Sequence, residues 1–582
     1  MCGIAGIIDK SLSKESLLRL SLAMEKKMRH RGPDAIGYYV KEPISMSMVR
    51  LSIIDIQYGN QPFYSPTTHS CIFQNGEIYN YLELKKELMQ EGARFRTNSD
   101  TEVLAVGYDF WGLDKLLQKI DGMYAISIFD EKKKKLFLIR DRFGEKPLFY
   151  TSGNCRFAYS SYLKSFKEIN WIDFSISEGS LLQYLCLHFV CGEDTIFSNI
   201  KRVLPGHYLE INLESCSIES KEYYSIPITI PKLKDDYEIL DALEESIKSR
   251  LISDVPLGIF LSGGIDSSLI TAIASKYKSD ISTFSMSFEA KEYDESKYAN
   301  LVAKQFGTTH YNLNFDENSF LDLLPKVIKY LDEPIGDQAL LPVFWLAEKS
   351  KDTVKVVLSG EGGDEVFGGY SYYAKFLANS GVKHLLNRLL PQNTTMTPSG
   401  FPFVTSVQQA LSLLDKSKLD TSCSWEDSWL SKINQSNNDL QRATLSDFTT
   451  WLPDDLLVKF DRMTMANSLE GRAPFLSPKL VEMGLNLHQS LRIFNKEKVI
   501  LKNIAEKILP NDIIIRKKQG FVLPMESWIR SFFEITPVHE FIRDCNFPLL
   551  NQMKLEFVIL TNLHNPRFVF SLLILLLWYK NF

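Results

Sequence analysis

One stretch limits what this chain can fold into more than any other: Pro256-Leu-Gly-Ile-Phe-Leu-Ser-Gly-Gly-Ile-Asp-Ser-Ser-Leu-Ile270. Leu257 to Leu261 is apolar and short enough for a buried strand, and the run from about Ser267 to Ile273 reads as the start of a helix. A glycine-rich passage from strand to helix leaves backbone N–H groups unpaired and aims the positive end of the helix dipole at one point. Gly263 and Gly264 let the backbone approach a ligand, and Ser262, Ser267 and Ser268 add hydroxyl donors. The guest this suits is a pyrophosphate, with Asp266 available to hold a magnesium ion on it. A plain tight turn with a Ser/Asp cap uses the same residue types. No lysine follows the glycines, so this is not the GxxxxGK[ST] loop, and a transferable γ-phosphate is not what it suggests.

The surroundings of this stretch alternate strand and helix. Helical spacing over 236–251 precedes it; strands over 281–288, 309–313 and 353–358 follow, with helices over 294–306, 320–331 and 342–349 between them. Such alternation predicts a doubly wound parallel sheet, with ligands at the carboxyl ends of the strands. A second glycine-rich loop, Ser359-Gly-Glu-Gly-Gly-Asp-Glu365, stands at one of those ends and carries three carboxylates. After Tyr370 the pattern is mostly helical, and 375–445 carries no readable pattern.

The first 200 residues have a different grammar, rich in antiparallel strand. Residues 2–8, 46–54 and 71–78 read as strands, the last interrupted at Asn75-Gly76. Hairpins are expected over 124–140 and 148–158, and Asn80 is expected to cap a helix over 81–90. Two prolines and no period mark 225–235 as a linker, which divides the chain into 2–224 and 236–582. A length of 582 residues and 45% hydrophobic content suit such a multi-domain globular chain, and a net charge of −5 argues against nucleic acid or an anionic membrane as partner. The apolar C-terminal run from Phe568 to Trp578 is about half the length of a membrane span and reads as a buried helix. The eight cysteines form no CxxC pair, fit a reducing compartment, and apart from Cys2 read as small core residues.

Cys2 becomes the first residue if Met1 is removed. It would then combine a thiol nucleophile with an α-amino group that serves as its base. Asn75 and Gly76 supply an amide side chain and a backbone N–H, the parts of an oxyanion hole, although Asn-Gly also marks a type I′ turn. Arg50 suits a carboxylate, and Glu77 and Asp100 suit an α-ammonium. Together they would recognise glutamine.

With these motifs in hand, the chain resembles the glutamine-dependent asparagine synthetase family, B type, over nearly its whole length. The resemblance rests on Met1-Cys-Gly-Ile-Ala-Gly6, His30-Arg-Gly-Pro-Asp34, Arg50-Leu-Ser-Ile-Ile54, Asn75-Gly-Glu-Ile-Tyr-Asn80, Ser99-Asp-Thr-Glu-Val103 and Arg140-Asp-Arg-Phe-Gly-Glu-Lys-Pro-Leu148. It continues in Ser262 to Ser268, Tyr293-Asp-Glu295, Asp332-Glu-Pro334, Leu358 to Tyr370, Leu452-Pro-Asp-Asp-Leu-Leu457, Asp461-Arg-Met-Thr-Met-Ala466 and Arg516-Lys-Lys-Gln-Gly-Phe521. It implies an α/β protein: an N-terminal-nucleophile αββα sandwich of antiparallel sheets, then an ATP-pyrophosphatase-type parallel sheet with extra helices. It further implies glutamine bound by Arg50, Leu51, Ser52, Ile53, Ile54, Asn75, Gly76, Glu77 and Asp100, with ammonia passing internally to a second site. There ATP would contact Leu261, Ser262, Gly263, Gly264, Asp266, Ser267, Met286, Ser359 and Gly360, with Mg2+ on Asp266 and Asp364. The acceptor carboxylate would become an acyl-adenylate, Lys518 would stabilise phosphate charge, and Glu361 would take a proton from the attacking ammonia. For Lys518 and Glu361 a structural ion pair is the competing reading.

Three departures stand in the second half. Gly363 replaces a frequent serine, Glu470-Gly-Arg-Ala-Pro-Phe475 replaces Glu-Val-Arg-Val-Pro-Phe, and 375–445 matches poorly. Aspartate is the expected acceptor. A uronic acid sugar of a surface polysaccharide is the alternative, and an inactive paralogue acting as a binding subunit is the remote one. The expected partners are the small molecules glutamine, ATP and the acceptor carboxylate. A homodimer and a cytoplasmic location are family expectations.

Overall fold

The computed structural model describes residues 2–289, 292–375, 377, 402–414, 438–494, 497–516 and 523–582. Twelve strands build two antiparallel sheets in the first part of the chain: β1 (Cys2–Ile8), β2 (Ala35–Lys41), β3 (Ile44–Arg50), β4 (Phe63–Tyr64), β5 (Cys71–Ile78), β6 (Gly122–Asp130), β7 (Lys135–Arg140), β8 (Phe149–Gly153), β9 (Arg156–Ser160), β10 (Lys201–Arg202), β11 (His207–Asn212) and β12 (Ile218–Glu222). One sheet runs β10-β8-β9-β1-β3-β2 and the other β12-β11-β7-β6-β5-β4. Successive strand residues face opposite sides, which lets one strand serve two cores. Along β1, Ile4 and Ile8 join Phe73 and Met46 between the sheets, while Ala5 and Ile7 join Leu17 and Met24 of the helix Lys14–Lys27 outside. On the far side, Ile72 and Ile78 of β5 pack on Leu104 of the helix Asp100–Lys119. The layers are helix, sheet, sheet, helix, as expected.

The third sheet is parallel, β13 (Leu257–Phe260), β14 (Ser282–Ser287), β15 (Thr309–Asn314), β16 (Val356–Leu358) and β17 (Glu470–Arg472), in the order β15-β14-β13-β16-β17. The chain leaves β13 toward β14 and β15, then returns to β16 and β17 on the other side. The reversal falls between β13 and β16, and the two glycine-rich loops follow these two strands, at the crevice where open α/β sheets bind ligands. The C-terminal run forms the helix Pro566–Asn581, buried over most of its length; among the described residues no helix is long and apolar enough to cross a membrane.

Four sequence expectations change. The strand expected to break at Asn75-Gly76 is continuous, with Asn75 opposite Ala125 and Gly76 opposite Tyr124. Gly76 holds φ at +146°, and a side chain there would collide with the Met123 carbonyl, so only glycine keeps the ladder closed. The strand expected over 46–54 stops at Arg50, because the Arg50 guanidinium gathers the carbonyls of Ile54, Asp55 and Ile56 and curls the chain into a loop. Asn80 precedes its helix without a side-chain cap; its amide instead bonds the Lys119 carbonyl and the Asp121 N–H. Cys155 and Cys216 are disulfide-bonded at the tips of the β8–β9 and β11–β12 hairpins, one from each sheet, rather than buried in the core, and Cys191 is half-buried. Cys423 and most of 375–445 lie outside the described residues.

The departure at Gly471 has a packing cause. A side chain there would run into the ring of Phe460, which fills that space from the neighbouring helix Leu457–Met465. Gly363 lies against Asp266: a Cβ would stand 3.0 Å from the Asp266 carboxyl carbon.

Candidate active sites

Antiparallel pairing of β1 with β3 sets Cys2 directly opposite Arg50, and the β5 residues Asn75 to Glu77 lie across the sandwich from them. The Cys2 N–H donates to Asn75 Oδ1 at 3.1 Å, and Asn75 Nδ2 donates to Ser161 Oγ at 3.2 Å. These bonds hold the Asn75 amide beside the nucleophile in a fixed orientation. Burial pushes the Cys2 thiol above its usual range, against the pull of a Leu51 backbone N–H and the Arg50 charge.

A cation and a buried acid flank this thiol. The Arg50 guanidinium is held by the Ile54 carbonyl at 2.9 Å, the Asp55 carbonyl at 3.0 Å and Asn60 Oδ1 at 2.8 Å, and no carboxylate pairs with it among the described residues. Glu77 is buried, and its Oε2 has no partner among the described residues. Burial pushes the Glu77 carboxyl well above the usual carboxylate range, and Glu470 and Asp100 add to this. Asp100 accepts from Gln74 Nε2 at 2.9 Å and the Ile78 N–H at 3.0 Å. An arginine lacking a carboxylate partner and a pair of buried acids, on either side of a thiol, suit a zwitterion, and the Arg472 charge also reaches Glu77. Leu51 to Ile54 are buried in the loop between them; Asp34 accepts from the Ser52 N–H at 2.8 Å.

The second cluster gathers at the ends of β13, β14 and β16. Gly264 caps the helix Ile265–Tyr277 with no side-chain bond, and Ser262 Oγ and Ser267 Oγ stand 3.1 Å apart across the turn. Gly263 takes φ +70°, and a Cβ there would press on the Ala299 N–H at 2.7 Å. The buried Ser268 Oγ has no partner among the described residues. Leu261 and Met286 are buried at neighbouring strand ends, and Gly360 would touch Asp266 if it carried a Cβ, at 3.1 Å. The predicted nucleotide residues are thus brought together. Lys518 lies outside the described residues, but Arg516, two positions earlier, donates to the Gly263 carbonyl at 2.9 Å and pairs with Glu295.

Among the described residues Asp266 and Asp364 both pair with the ammonium of Lys498, which is 2.6 Å from Asp364 Oδ1 and also bonded to Asp266. Burial opposes the lysine's charge, but the two carboxylates outweigh it and hold its pKa above the usual range. Lys498 adopts a left-handed backbone, φ 53°, unusual for a non-glycine residue, and Gly369 leaves room for the cluster. Two carboxylates already arranged about a positive charge are a donor set that suits a hard divalent ion. No group of three or more metal-ligating side chains exists among the described residues, so such an ion would need further oxygens from a ligand. Glu361 lies nearby. Burial pushes it up to about 7; Lys459 pulls it down, while Asp337 and Asp364 push it up. Lys459 donates to Asp337 Oδ2 at 2.6 Å.

Sequence reasoning missed Lys459, Lys498 and Asp337. Lys459 sits inside an apolar helical run, Leu457-Val-Lys-Phe460, where a lone cation is a signal that it has a buried partner; Lys498 ends the charged run Lys496-Glu-Lys498 ahead of its helix and carries no such signal.

Comparison with known proteins agrees with this layout. Residues 1–224 match the glutamine amidotransferase domain model, and residues 238–544 match the asparagine synthase model. The chain is 33% identical over 564 residues to "Asparagine synthetase [glutamine-hydrolyzing] 1" of Bacillus subtilis (strain 168), covering 91% of this chain and 88% of that protein. It is 33% identical to a "Putative asparagine synthetase [glutamine-hydrolyzing]" of Mycobacterium bovis, covering 87% and 84%. Against "Asparagine synthetase B [glutamine-hydrolyzing]" of Escherichia coli (strain K12) the identity is 31% over 409 residues, covering 66% and 68%.

Proposed function

The chain belongs to the glutamine-hydrolysing asparagine synthetase family, and on that premise we propose that it is a ligase that makes asparagine from aspartate, ATP and glutamine. Residues 2–224 act as the glutaminase, 225–235 as the linker and 236–582 as the ATP-dependent part. The observation that carries this reading is the charge arrangement at Cys2. Arg50 would take the glutamine carboxylate, and Glu77 with Asp100 the ammonium, which leaves the side-chain amide at the thiol. Cys2 Sγ attacks that amide carbon as its proton passes to the Cys2 α-amino group, Asn75 Nδ2 and the Gly76 N–H receive the developing oxyanion, and the carbon–nitrogen bond breaks as the same proton moves to the leaving nitrogen, releasing ammonia. Water then hydrolyses the thioester to glutamate.

At the second site the loop from Ser262 to Ser268 grips the β- and γ-phosphates, and the adenosine lies near Leu261, Met286, Ser359 and Gly360. Asp266 and Asp364 would hold a magnesium ion, which neutralises phosphate charge when bound. An acceptor carboxylate oxygen attacks the α-phosphorus, the bond to the β-phosphate breaks, and pyrophosphate leaves. Ammonia attacks the acyl carbon, its proton passes to Glu361, and AMP departs. Lys518 would stabilise phosphate charge. The test is acceptor-dependent pyrophosphate release with aspartate set against a panel of uronic acids. Release with aspartate alone is expected; release with a uronic acid and none with aspartate would overturn the acceptor.

Glu361 gives a second check. A carboxyl with its pKa near 7 loses its capacity to accept a proton as pH falls, so glutamine-supported amide formation should decline below about pH 7. Glu361→Gln should cut amide formation by about 10²–10⁴-fold while acceptor-dependent exchange of pyrophosphate into ATP persists. Equal loss of both would remove Glu361 from the ammonia step.

A further inference from the structure

Arg567 is half-buried in the first turn of the helix Pro566–Asn581, where the helix dipole disfavours a cation. A guanidinium placed there needs local compensation, and its neighbours supply it. Its Nη2 reaches His188 Nδ1 at 3.4 Å. A guanidinium only donates, so the His188 proton lies on Nε2, which donates to Asp455 Oδ2 at 3.2 Å. Asp455 comes from the π-turn Leu452–Leu456, a form frequent at functional sites, and Trp451 Nε1 fixes its Oδ2 at 2.7 Å. His188 ends the helix Glu178–Leu187 with a left-handed backbone, φ 68°, unusual for a non-glycine residue. Its carbonyl accepts from the Gly336 N–H at 2.8 Å. A Cβ on Gly336 would stand 2.9 Å from His188 Cβ and 2.6 Å from Ser571 Cβ, so three distant segments meet here at close backbone contact. The next residue, Asp337, is the one that takes Lys459. Burial pulls the Arg567 guanidinium below its usual range, and Asp337 and Asp455 pull it back up. The same two carboxylates face Glu361, which places them between Glu361 and Arg567.

We propose that Arg567 binds the second carboxylate of the acceptor, the one that is not amidated, and that His188 is the positioning residue that aims it. The inference rests on the proposed reading of the ATP site and deepens it, because it makes the acceptor a short dicarboxylate. The reacting carboxylate lies at the phosphate and Glu361, so the rest of the acceptor extends toward Asp337 and Arg567. There the guanidinium offers two parallel donors to a carboxylate, and the positive end of its helix adds to the attraction. Aspartate has a carboxylate for this place. A uronic acid spends its carboxylate on the reaction and leaves Arg567 nothing to hold. His188 belongs to the first half of the chain and Arg567 to its last helix, so recognition of the acceptor draws on both.

The test measures ammonia-supported pyrophosphate release in the wild type, Arg567→Gln, Arg567→Lys and His188→Gln, with aspartate as acceptor and thermal unfolding beside it. Succinate, which keeps both carboxylates, and β-alanine, which lacks the second, are compared as inhibitors against aspartate. In the wild type succinate should inhibit about 10–10²-fold more tightly than β-alanine, the margin of one charge-assisted pair. Arg567→Gln should raise the aspartate KM by about the same factor and close the gap to within about 2-fold, while the ATP KM changes by less than about 2-fold. Arg567→Lys keeps the charge without the fork and should retain part of the gap; it carries the same comparison if the glutamine variant does not fold. His188→Gln should raise the aspartate KM in the same direction and by less, again without moving the ATP KM. A gap that survives in both Arg567 variants overturns the proposal, as does a rise in ATP KM equal to that in aspartate KM. Release by the wild type with a uronic acid and none with aspartate instead overturns the reading of the acceptor, and the role of Arg567 falls with it.

Discussion

Cys2→Ala is expected to abolish glutamine-supported amidation, with glutamate release down by at least about 10³-fold, while free ammonia still supports product formation. Two features of the structure separate the activities. The thiol has no substitute within the cluster: Cys71, the nearest other cysteine in the sandwich core, is buried in β5 and burial pushes its thiol well above the usual range. The contacts that join Cys2 to the second half of the chain run through its backbone carbonyl and Arg31, not through its sulfur. Alanine keeps that carbonyl and the N–H that donates to Asn75, so the surrounding network survives, at a stability cost of order 1 kcal/mol. Glutamate release and ammonia-supported asparagine formation, measured on one preparation, decide the matter. Equal loss of both would contradict two separate sites.

The parts of the fold that could be read from the chain were those written in local period. Alternation in β1 and β5, the hairpins around Lys132 to Lys135 and Ser152 to Asn154, and the strand–helix rhythm after Asp236 all appear in place. What escaped depends on contacts distant in sequence. Asn75-Gly76 looks like a turn locally, and only the partner strand β6 shows that Gly76 is needed inside a ladder. Gly471 reads from the sequence only as a departure from the family pattern, and Phe460 explains it as packing. The charged residues between the halves were legible as motifs but not as pairs. Arg31 with Asp461, Arg202 with Glu333 and Lys355 with Asp34 each join residues more than a hundred positions apart. The first two pairs are buried, and breaking such a pair costs about 3–5 kcal/mol, so they fix how the two halves meet; the exposed Lys355–Asp34 pair adds little.

Asp266→Ala is expected to stop pyrophosphate release whichever nitrogen donor is supplied, because activation of the acceptor precedes the use of ammonia. The carboxylate stands at the first turn of the helix Ile265–Tyr277, between the phosphate loop and Asp364. It shares Lys498 with Asp364, so its removal takes away one of the two carboxylates that pair with that lysine. Asp266→Asn separates charge from shape: it keeps an oxygen in place but drops the charge, and should raise the magnesium concentration needed for half-maximal pyrophosphate release while leaving glutamate release from glutamine measurable. Lys498→Met supplies the contrast. If Asp266 served only to anchor that lysine, the two variants would lose pyrophosphate release equally and neither would change its magnesium dependence. If Asp266 holds the ion, only the aspartate variant shifts that dependence. Undiminished release from Asp266→Ala would remove it from the ATP site altogether.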